Sequence, residues 1–221
     1  MSVSIIIPVL NEEQSICATL ERLQVFRQQG CEVIVVDAGS VDNTDVIAAA
    51  LSDQLITSGK GRALQMNLGA SHAQHDILWF LHADTLVPEN AIDIIETSLT
   101  DRGWGRFNVK LSGAHGMFRI IELMMNIRSC ITAIATGDQG IFVKHTLFSR
   151  LGGYPEIPLM EDIALSKKLK QVSRPVCIKD NLVTSSRRWE EKGIMKTVLL
   201  MWKLRFLYFI GVSADDLARQ Y

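Results

Sequence analysis

The sequence predicts an α/β fold in which a central, mostly parallel mixed sheet is flanked by helices. Through about the first hundred residues, short apolar runs alternate with longer amphipathic segments, as strands and crossover helices do in parallel sheets. Several of the apolar runs are continuous, which is typical of strands buried on both faces. Polar residues follow these runs directly. Because ligands bind at the carboxyl ends of parallel strands, we expect a site along that edge.

The elements of the first half follow from this alternation. Four apolar runs have the length and composition of buried strands, at residues 4–9, 32–36, 55–57 and 77–81. Four amphipathic segments predict helices, at residues 12–28, 44–51, 63–72 and 89–99. We expect these elements to form a nucleotide-binding half over residues 1–100.

Beyond Gly103 the pattern becomes mixed. It predicts strands at 106–111 and 140–144, a Met-rich helix at 117–134, and short helices near Leu147 and Asp162. We find no internal repeat or linker, so residues 101–190 should complete the same domain and supply the pocket of a second substrate. C-terminal amphipathic helices should follow over 191–221. The apolar surface of the Met-rich helix fits an acceptor pocket, a dimer interface or the core equally well.

Composition excludes several classes of protein. The chain has 221 residues, 48% of them hydrophobic, and a net charge of -1, so a general nucleic-acid binder is not expected. The four cysteines have no C-x-x-C spacing, which suggests neither a zinc cluster nor a redox pair and favours a reduced cytoplasmic setting. The first apolar run is only Ile5 to Ile7 before Pro8, so we expect a first strand rather than a signal peptide.

The segment 194–212 is apolar but is interrupted by Lys196, Lys203 and Arg205, and a helix that spans a bilayer needs about 20 nearly uncharged residues. We therefore expect an amphipathic helix that does not cross a membrane. Its two lysines share one side of the helix and leave a wide apolar face, which carries Leu199, Trp202, Phe206 and Phe209. We favour docking of this face on the protein core or a second subunit; the alternative is contact with a membrane surface.

The run ILWFLHADT places polar chemistry at the end of a buried strand. Its apolar residues stop at His82, Ala83 and Asp84. A carboxylate at this point is well placed to hold a metal ion or a substrate. Asp84 is equally well explained as a turn residue before the next helix.

The first two strands also end in polar residues, within PVLNEE and VVDAGSVDNT. Asp37 follows a buried run, and Gly39 and Ser40 make a tight turn whose amides can face an anion. A carboxylate here can accept hydrogen bonds from a base or from ribose hydroxyls. Helix capping explains Asp42 better than ligand contact and is the alternative for Asn11.

A third candidate segment is SGKGRALQMNLGA. Gly59 and Gly61 permit close approach of the backbone to a ligand, and Lys60 and Arg62 supply cations for a diphosphate. The spacing of a P-loop is absent, which counts against an ATPase. Taken alone, such a turn is more often a solvated loop.

These motifs, with FLHADT and MED, occur in the order seen in family 2 glycosyltransferases of the GT-A fold, which the chain resembles from Pro8 to about Lys170. The resemblance implies a nucleotide-diphospho-sugar donor, with Asp37 and the Glu12 region on the base and ribose and Arg62 near the base or diphosphate. Asp84 resembles the last carboxylate of the family's D-x-D motif, which ligates Mg²⁺ or Mn²⁺, and His82 replaces the first. The donor-binding set implied is Pro8, Asn11, Glu12, Asp37, Gly39, Ser40, Gly61, Arg62 and Arg188.

In the second half, TGDQGIFVKHTLFSRLGGYPEIPLMED resembles the family's acceptor-side block, and Glu161 and Asp162 match its ED motif. Transfer requires a general base for the acceptor hydroxyl, and we assign Asp162 to that role. Helix capping is the alternative. Asp138 either lines the sugar or acceptor pocket, as Glu161 is expected to do, or stabilises a turn.

The segment SSRRW resembles the QxxRW motif of processive members, with Arg188 and Trp189 retained and Ser185 in place of Gln. Arg188 would neutralise the leaving diphosphate and Trp189 would stack on a sugar, while the lost Gln argues against polymer synthesis. The C-terminal run also resembles a bacterial subgroup of arsenosugar-biosynthesis-type glycosyltransferases.

The sequence therefore predicts a metal-dependent, inverting, non-processive glycosyltransferase. The alternative is a nucleotide-sugar-binding module without turnover, because His82 breaks the D-x-D pattern; nucleotidyl transfer ranks last. The predicted location is the cytoplasm, where a homodimer or peripheral contact with the inner face of the membrane would involve the C-terminal helix.

Overall fold

In the computed structural model, which describes residues 2–221, seven strands form one sheet in the order β3-β2-β1-β4-β6-β5-β7. The strands are β1 (Val3–Val9), β2 (Glu32–Asp37), β3 (Gln54–Thr57), β4 (Ile77–Phe80), β5 (Trp104–Leu111), β6 (Phe142–Lys144) and β7 (Val176–Thr184). The helices are α1 (Glu13–Gln28), α2 (Thr44–Leu51), α3 (Arg62–His72), α4 (Ala91–Ser98), α5 (Gly116–Thr132), α6 (His145–Arg150), α7 (Glu161–Val172), α8 (Arg187–Lys192), α9 (Ile194–Phe209) and α10 (Ala214–Ala218).

The first four strands are parallel, as the continuous apolar runs predict. β1 pairs with β2 and β4 on its two sides, and β2 pairs with β3. All six residues of β2 and all four of β4 are buried, which explains their nearly unbroken apolar sequences. The carboxyl ends of β1, β2 and β4 therefore meet at one edge, where the polar motifs follow them.

The second half adds the antiparallel part of the sheet. β6 lies between β4 and β5 and is antiparallel to both, whereas β7 is parallel to β5 at the edge. The predicted mostly parallel mixed sheet is confirmed. β7 was not predicted, because its middle is polar and exposed and its register shifts opposite Phe107 and Asn108, which hides the two-residue period.

Side chains pack on both faces of the sheet. One cluster lies on the face of Ile5, Ile7 and Val33, and its centre is Trp79, stacked on Phe107 with ring centroids 5.4 Å apart. The other face carries Ile6, Leu78 and Phe80 beneath helices α3 and α7. The helices that contribute site residues are thus fixed on the sheet by apolar contact.

The C-terminal helix α9 contacts the protein through a face different from the predicted one. Leu204 is fully buried, with Leu200, Met201 and Tyr208 packed in the same cluster. The face that was expected to dock on the core is instead exposed, by 60% at Leu199, 57% at Trp202, 62% at Phe206 and 80% at Phe209. Docking on the core through these residues is therefore wrong. None of the helices within residues 2–221 is long and apolar enough to cross a membrane.

Two of the four cysteines form a disulfide, which their spacing in the sequence did not suggest. Cys130 near the end of α5 and Cys177 near the start of β7 form a disulfide, with Cα atoms 5.9 Å apart and a sequence separation of 47. This pair could not be predicted, because the proximity of the two cysteines depends on β7, which brings its first residues beside α5. Cys17 and Cys31 are free.

Candidate active site

The loops after β1 and β2 hold each other in place. The Asn11 amide N–H donates to Ser40 Oγ (2.9 Å), and Asn11 Oδ1 accepts from the Val41 amide (2.9 Å). Asn11 has a φ of 55°, a left-handed conformation that Asn tolerates better than most residues. In this structure Asn11 joins the loops after β1 and β2, a role that the sequence analysis did not consider.

Asp37 ends β2 as predicted, and its carboxylate organises the following turn. It accepts from Ser40 Oγ (2.5 Å) and from the amides of Ser40 (3.0 Å) and Gly39 (3.3 Å). Gly39 has a φ of 84°, which favours glycine. The Asp37 side chain is buried, so it shapes the wall of the cleft; contact with a nucleotide stays a prediction.

Glu12 and Asp42 fix the start of α1 and α2. The Glu12 amide donates to Thr44 Oγ1 (2.8 Å), and Asp42 accepts from the amides of Thr44 (3.1 Å) and Glu13 (3.2 Å), the first residues of α2 and α1. The N-caps of these helices are Glu12 and Asn43, so Asp42 binds both helix ends without occupying the capping position. The Glu12 carboxylate lies 3.7 Å from Arg187 Nη2, so the N-terminal loop contacts α8. Pro8 lies in β1 opposite Val36, at the same edge of the sheet.

His82 pairs with Asp138 across the cleft. His82 Nδ1 lies 3.2 Å from Asp138 Oδ1, and Nε2 is buried without a hydrogen-bond partner within residues 2–221. Desolvation pushes the pKa of Asp138 upward, but the hydrogen bond and charge of His82 more than offset it and lower that pKa. The imidazole also packs against Gly137, where a Cβ would come within 2.5 Å of Nε2.

Asp162 reaches a backbone amide far away in the sequence. Its Oδ2 accepts from the Gly137 amide (3.0 Å), and its Oδ1 accepts from the adjacent Ile163 amide (2.6 Å). The N-cap of α7 is Met160, with a φ of 69°, so Asp162 is not the capping residue. Its partially exposed carboxylate is bound to the turn that carries Asp138.

Glu161 is buried beside Asp162 and faces Arg62. The distance from Glu161 Oε1 to Arg62 Nη1 is 3.6 Å, and Gly61, with a φ of 144°, directs the chain into α3 at this point. Burial and the charge of Asp162 raise the pKa of Glu161, although Arg62 opposes the shift. A raised carboxyl pKa beside a second carboxylate is characteristic of functional sites.

A cavity brings several predicted residues together. Arg62, His82, Glu161 and Asp162 line it with Gly137 and Tyr154. Burial, followed by the charges of Asp162 and Glu161, raises the pKa of the Tyr154 hydroxyl well above its ordinary range. An acid pair, an imidazole, a phenol and a guanidinium therefore converge on a cavity of about 10 Å³, which has room for about one water. These groups suit deprotonation of a hydroxyl group that is presented at the mouth of the cavity.

Two arginines near this cavity were missed from sequence. Desolvation lowers the pKa of Arg205, against the charges of Asp162 and Asp138. Desolvation and the charge of Arg205 lower the pKa of Arg128 to about 10. In the sequence, Arg205 stood out only as a charge that interrupts an apolar run, and nothing distinguished Arg128. The predicted Arg188 belongs here too: desolvation and Arg62 lower its pKa, while Asp138 opposes the shift.

Most of the other predicted residues lie outside the cavity lining, and Trp189 and Asp84 are among them. Trp189 packs against an apolar cluster that contains Leu111, Phe118 and Ile121, which accounts for the residue without a sugar. Asp84, at the end of β4, accepts a hydrogen bond from Thr184 Oγ1 (3.3 Å) on β7. The half-buried Asp84 is thus held near the end of the parallel strands, where the sequence placed it.

The protein side chains of this site could hold a divalent metal only if the substrate supplied some of the ligands. In the part of the chain that the structure describes, no three His, Cys, Asp or Glu side chains form a group that could hold a metal ion. His82 uses Nδ1 for Asp138 and turns Nε2 towards Gly137, which does not suit a ligand. Asp84 fits, because Mg²⁺ is usually held by one or two carboxylates while substrate phosphates and water supply the other ligands.

Comparison with known proteins tests the resemblance. Residues 4–99 match the family model described as glycosyl transferase family 2. The match covers less than half of the chain, so it shows that this segment is similar to that family. The predicted resemblance is therefore confirmed, and the match covers the loops after β1, β2 and β4 together with Arg62. No comparison tests the resemblance to the arsenosugar-biosynthesis-type subgroup.

Curated relatives extend the family 2 likeness into the second half of the chain. The chain is 33% identical to an undecaprenyl-phosphate 4-deoxy-4-formamido-L-arabinose transferase of Yersinia pestis, covering 64% of this chain and 47% of that protein. It is 28% identical to the glucosyl-3-phosphoglycerate synthase of Mycolicibacterium smegmatis, covering 56% and 48%. The chain thus spans about half the length of these relatives.

A solved structure confirms the GT-A fold. The mannosyltransferase PcManGT from Pyrobaculum calidifontis, in complex with GDP-Man and Mn²⁺, superposes with a TM-score of 0.66 at 23% identity, over 82% of this chain and 56% of that one. At this identity the likeness establishes the fold alone.

Proposed function

We propose that the protein is a glycosyltransferase that moves a sugar from a nucleotide-diphospho-sugar to an acceptor hydroxyl, with inversion and without processivity. The observation that carries the proposal is the cavity in which Arg62 and His82, from the family 2 segment, face Glu161 and Asp162 from the second half. The donor side and the acceptor side of a transfer reaction would meet there.

The donor would lie along the carboxyl ends of β1, β2 and β4. The interlocked loops of Asn11 and Ser40 supply a preformed wall for the base and ribose. Arg62 and Arg188 supply positive charge for the diphosphate, which guanidinium groups bind with two parallel hydrogen bonds. Mutual repulsion between these arginines would be relieved by the phosphates.

Asp162 would act as the general base. In the proposed step, the acceptor hydroxyl gives its proton to Asp162, and its oxygen forms a bond to the anomeric carbon. The bond from that carbon to the diphosphate breaks on the opposite face, and the electron pair leaves with the nucleoside diphosphate. The two backbone amides on Asp162 keep the carboxylate oriented for this transfer.

A divalent cation fits the leaving-group side of this scheme. Asp84 would hold Mg²⁺ or Mn²⁺ together with the phosphates of the donor, and the ion would supply charge stabilisation for the nucleoside diphosphate. A related structure contains Mn²⁺, which supports use of a divalent metal within the family. His82 would keep Asp138 ionised through their contact and would not ligate the metal.

The test is release of nucleoside diphosphate. The full chain is incubated with UDP-, GDP-, ADP- and CDP-sugars, with and without Mn²⁺, and we expect one base to support slow release. Asp162→Asn should retain donor binding in a thermal-shift assay and lose release by roughly 100-fold or more, the range for loss of a general base. Asp93→Asn, an exposed change on α4, is the matched control.

The outcomes separate the candidate functions. Donor binding without release for any sugar would favour a binding module. Formation of pyrophosphate would indicate nucleotidyl transfer. Full activity of Asp162→Asn would remove Asp162 as the base.

A further inference from the structure

Helix α9 presents a stripe of apolar side chains to solvent. Six large residues on one side of the helix are each more than half exposed: Met195, Leu199, Trp202, Phe206, Phe209 and Ile210. Their spacing of three or four residues places them on one face. Exposure of so many large apolar side chains to water is unfavourable unless another apolar phase covers them. Contiguous apolar patches of this kind mark interaction surfaces.

The neighbouring helix α5 carries a second stripe. Ile120, Leu123, Met124, Ile127 and Ile131 are about half exposed or more, again at helical spacing. α5 and α9 contribute to one buried cluster, in which Phe118 and Ile121 meet Ile194 and Val198. The two exposed stripes therefore belong to adjacent helices rather than to opposite sides of the molecule.

The charged residues within α9 all have one sign. Lys196 and Lys203 lie along one edge of the α9 stripe and are exposed, and the chain contains no Asp or Glu from 192 to 214. The one carboxylate of α5, Glu122, is buried and paired with Arg119. An apolar face with aromatic residues and flanking lysines is the pattern of helices that lie in the interface of an anionic bilayer.

A second copy of the chain fits this surface less well. A symmetric dimer pairs the same patch from both subunits. The lysines along α9 would then be brought towards those of the partner with no carboxylate of the stripe to neutralise them, whereas anionic headgroups would supply the missing charge.

We propose that the exposed faces of α5 and α9 dock on the surface of an anionic lipid bilayer. The aromatic and aliphatic side chains enter the boundary between headgroups and acyl chains, and Lys196 and Lys203 contact the lipid phosphates. The remaining face of α9 stays on the protein, where Leu204 is buried. Leu204 of α9 packs with Met160 and Ile163, which flank Glu161 and Asp162, so docking would bring the acceptor side of the cleft close to the membrane. This placement of the acceptor rests on the proposed function.

The experiment is sedimentation of the full chain with vesicles. We expect the protein to sediment with vesicles of phosphatidylglycerol and phosphatidylcholine in equal parts, and at least 10-fold less with phosphatidylcholine alone. Raising NaCl from 50 to 500 mM should weaken the binding, because salt screens the lysine contacts. Lipid binding is measured without donor or turnover, so its result is independent of the proposed transferase activity.

The variants are Trp202→Glu and Phe206→Glu, each expected to lower the vesicle partition coefficient at least 10-fold. Val41→Glu, at a side chain 91% exposed on the loop after β2, is the matched control and should bind as the parent does. Because all three sites are exposed, circular dichroism should show unchanged folding. Equal binding of all variants, or no binding to anionic vesicles, would overturn the proposal. So would a dimer in analytical ultracentrifugation that Trp202→Glu dissociates.

Discussion

Replacing Gly137 by alanine tests whether the turn at residues 137–139, just before β6, sets the geometry of the proposed catalytic site. Gly137 donates its amide to Asp162 Oδ2 at 3.0 Å and packs against the imidazole of His82. A Cβ at this position would lie 2.5 Å from His82 Nε2 and 3.0 Å from Cε1. Ordinary contacts between heavy atoms need about 3.5 Å or more, so the ring or the turn must move by about 1 Å.

The structure gives the size of the expected effect. The imidazole is held on its other side by Asp138, 3.2 Å away, so it cannot retreat without loss of that contact. Overpacking of this kind costs about 1–3 kcal/mol of folding free energy. A displacement of about 1 Å in a reacting group lowers turnover by roughly 100-fold. We therefore expect Gly137→Ala to remain folded but to lose most of its nucleotide release.

The assay compares donor turnover and urea denaturation of Gly137→Ala with those of Gly116→Ala. Gly116 begins α5, and a Cβ there meets no atom within 4 Å. Its replacement should leave turnover unchanged and raise stability by about 0.5–1 kcal/mol, because alanine is the better helix former. Turnover of Gly137→Ala within twofold of the parent, with unchanged stability, would refute the role given to this turn.

Two further predictions concern stability. Desolvation raises the pKa of Asp53, but the hydrogen bonds and charge of Arg27 and the amide of Val33 lower it overall, so its contribution is complete above the unfolded-state pKa and is lost as the pH falls through the folded-state value. Below about pH 4, the Tm of Asp53→Asn should therefore fall less with pH than the Tm of the parent does. The same fall of Tm with pH in both proteins would contradict this. Reduction of the Cys130–Cys177 disulfide, which closes a loop of 47 residues, should lower the unfolding free energy by about 4 kcal/mol in the chain-entropy model. Urea denaturation of a variant with serine at positions 130 and 177 serves as the reference. Equal urea midpoints of the parent with and without reductant would show that the disulfide does not stabilise the protein.

Much of the parallel half of the fold was predictable because burial on both faces leaves a continuous apolar run. β1, β2 and β4 have this character, and each ends in a polar motif. β7 lacks it, because Lys179, Asp180 and Asn181 are exposed at the sheet edge. Edge strands bury less, so their sequences carry a weaker signal.

The candidate site was predictable where a residue follows a strand or begins a helix. Asp162 and Arg62 reach one cavity, as the motif order implies. Arg205 could not be assigned, because its place beside Asp162 depends on how α9 packs. Trp189 differs, because the structure packs it against an apolar cluster that its motif position did not indicate, and its contact with a sugar stays a prediction.

The two outer strands of the sheet differ in how they avoid pairing with other chains. β3 at one edge is only four residues long, which leaves little template for aggregation. β7 at the other edge is nine residues long, but Lys179 and Asp180 stand in its middle, and Leu86 covers Val183 through two backbone hydrogen bonds of 2.8 and 2.9 Å. The same loop that presents Asp84 thus also protects the protein from edge-to-edge association.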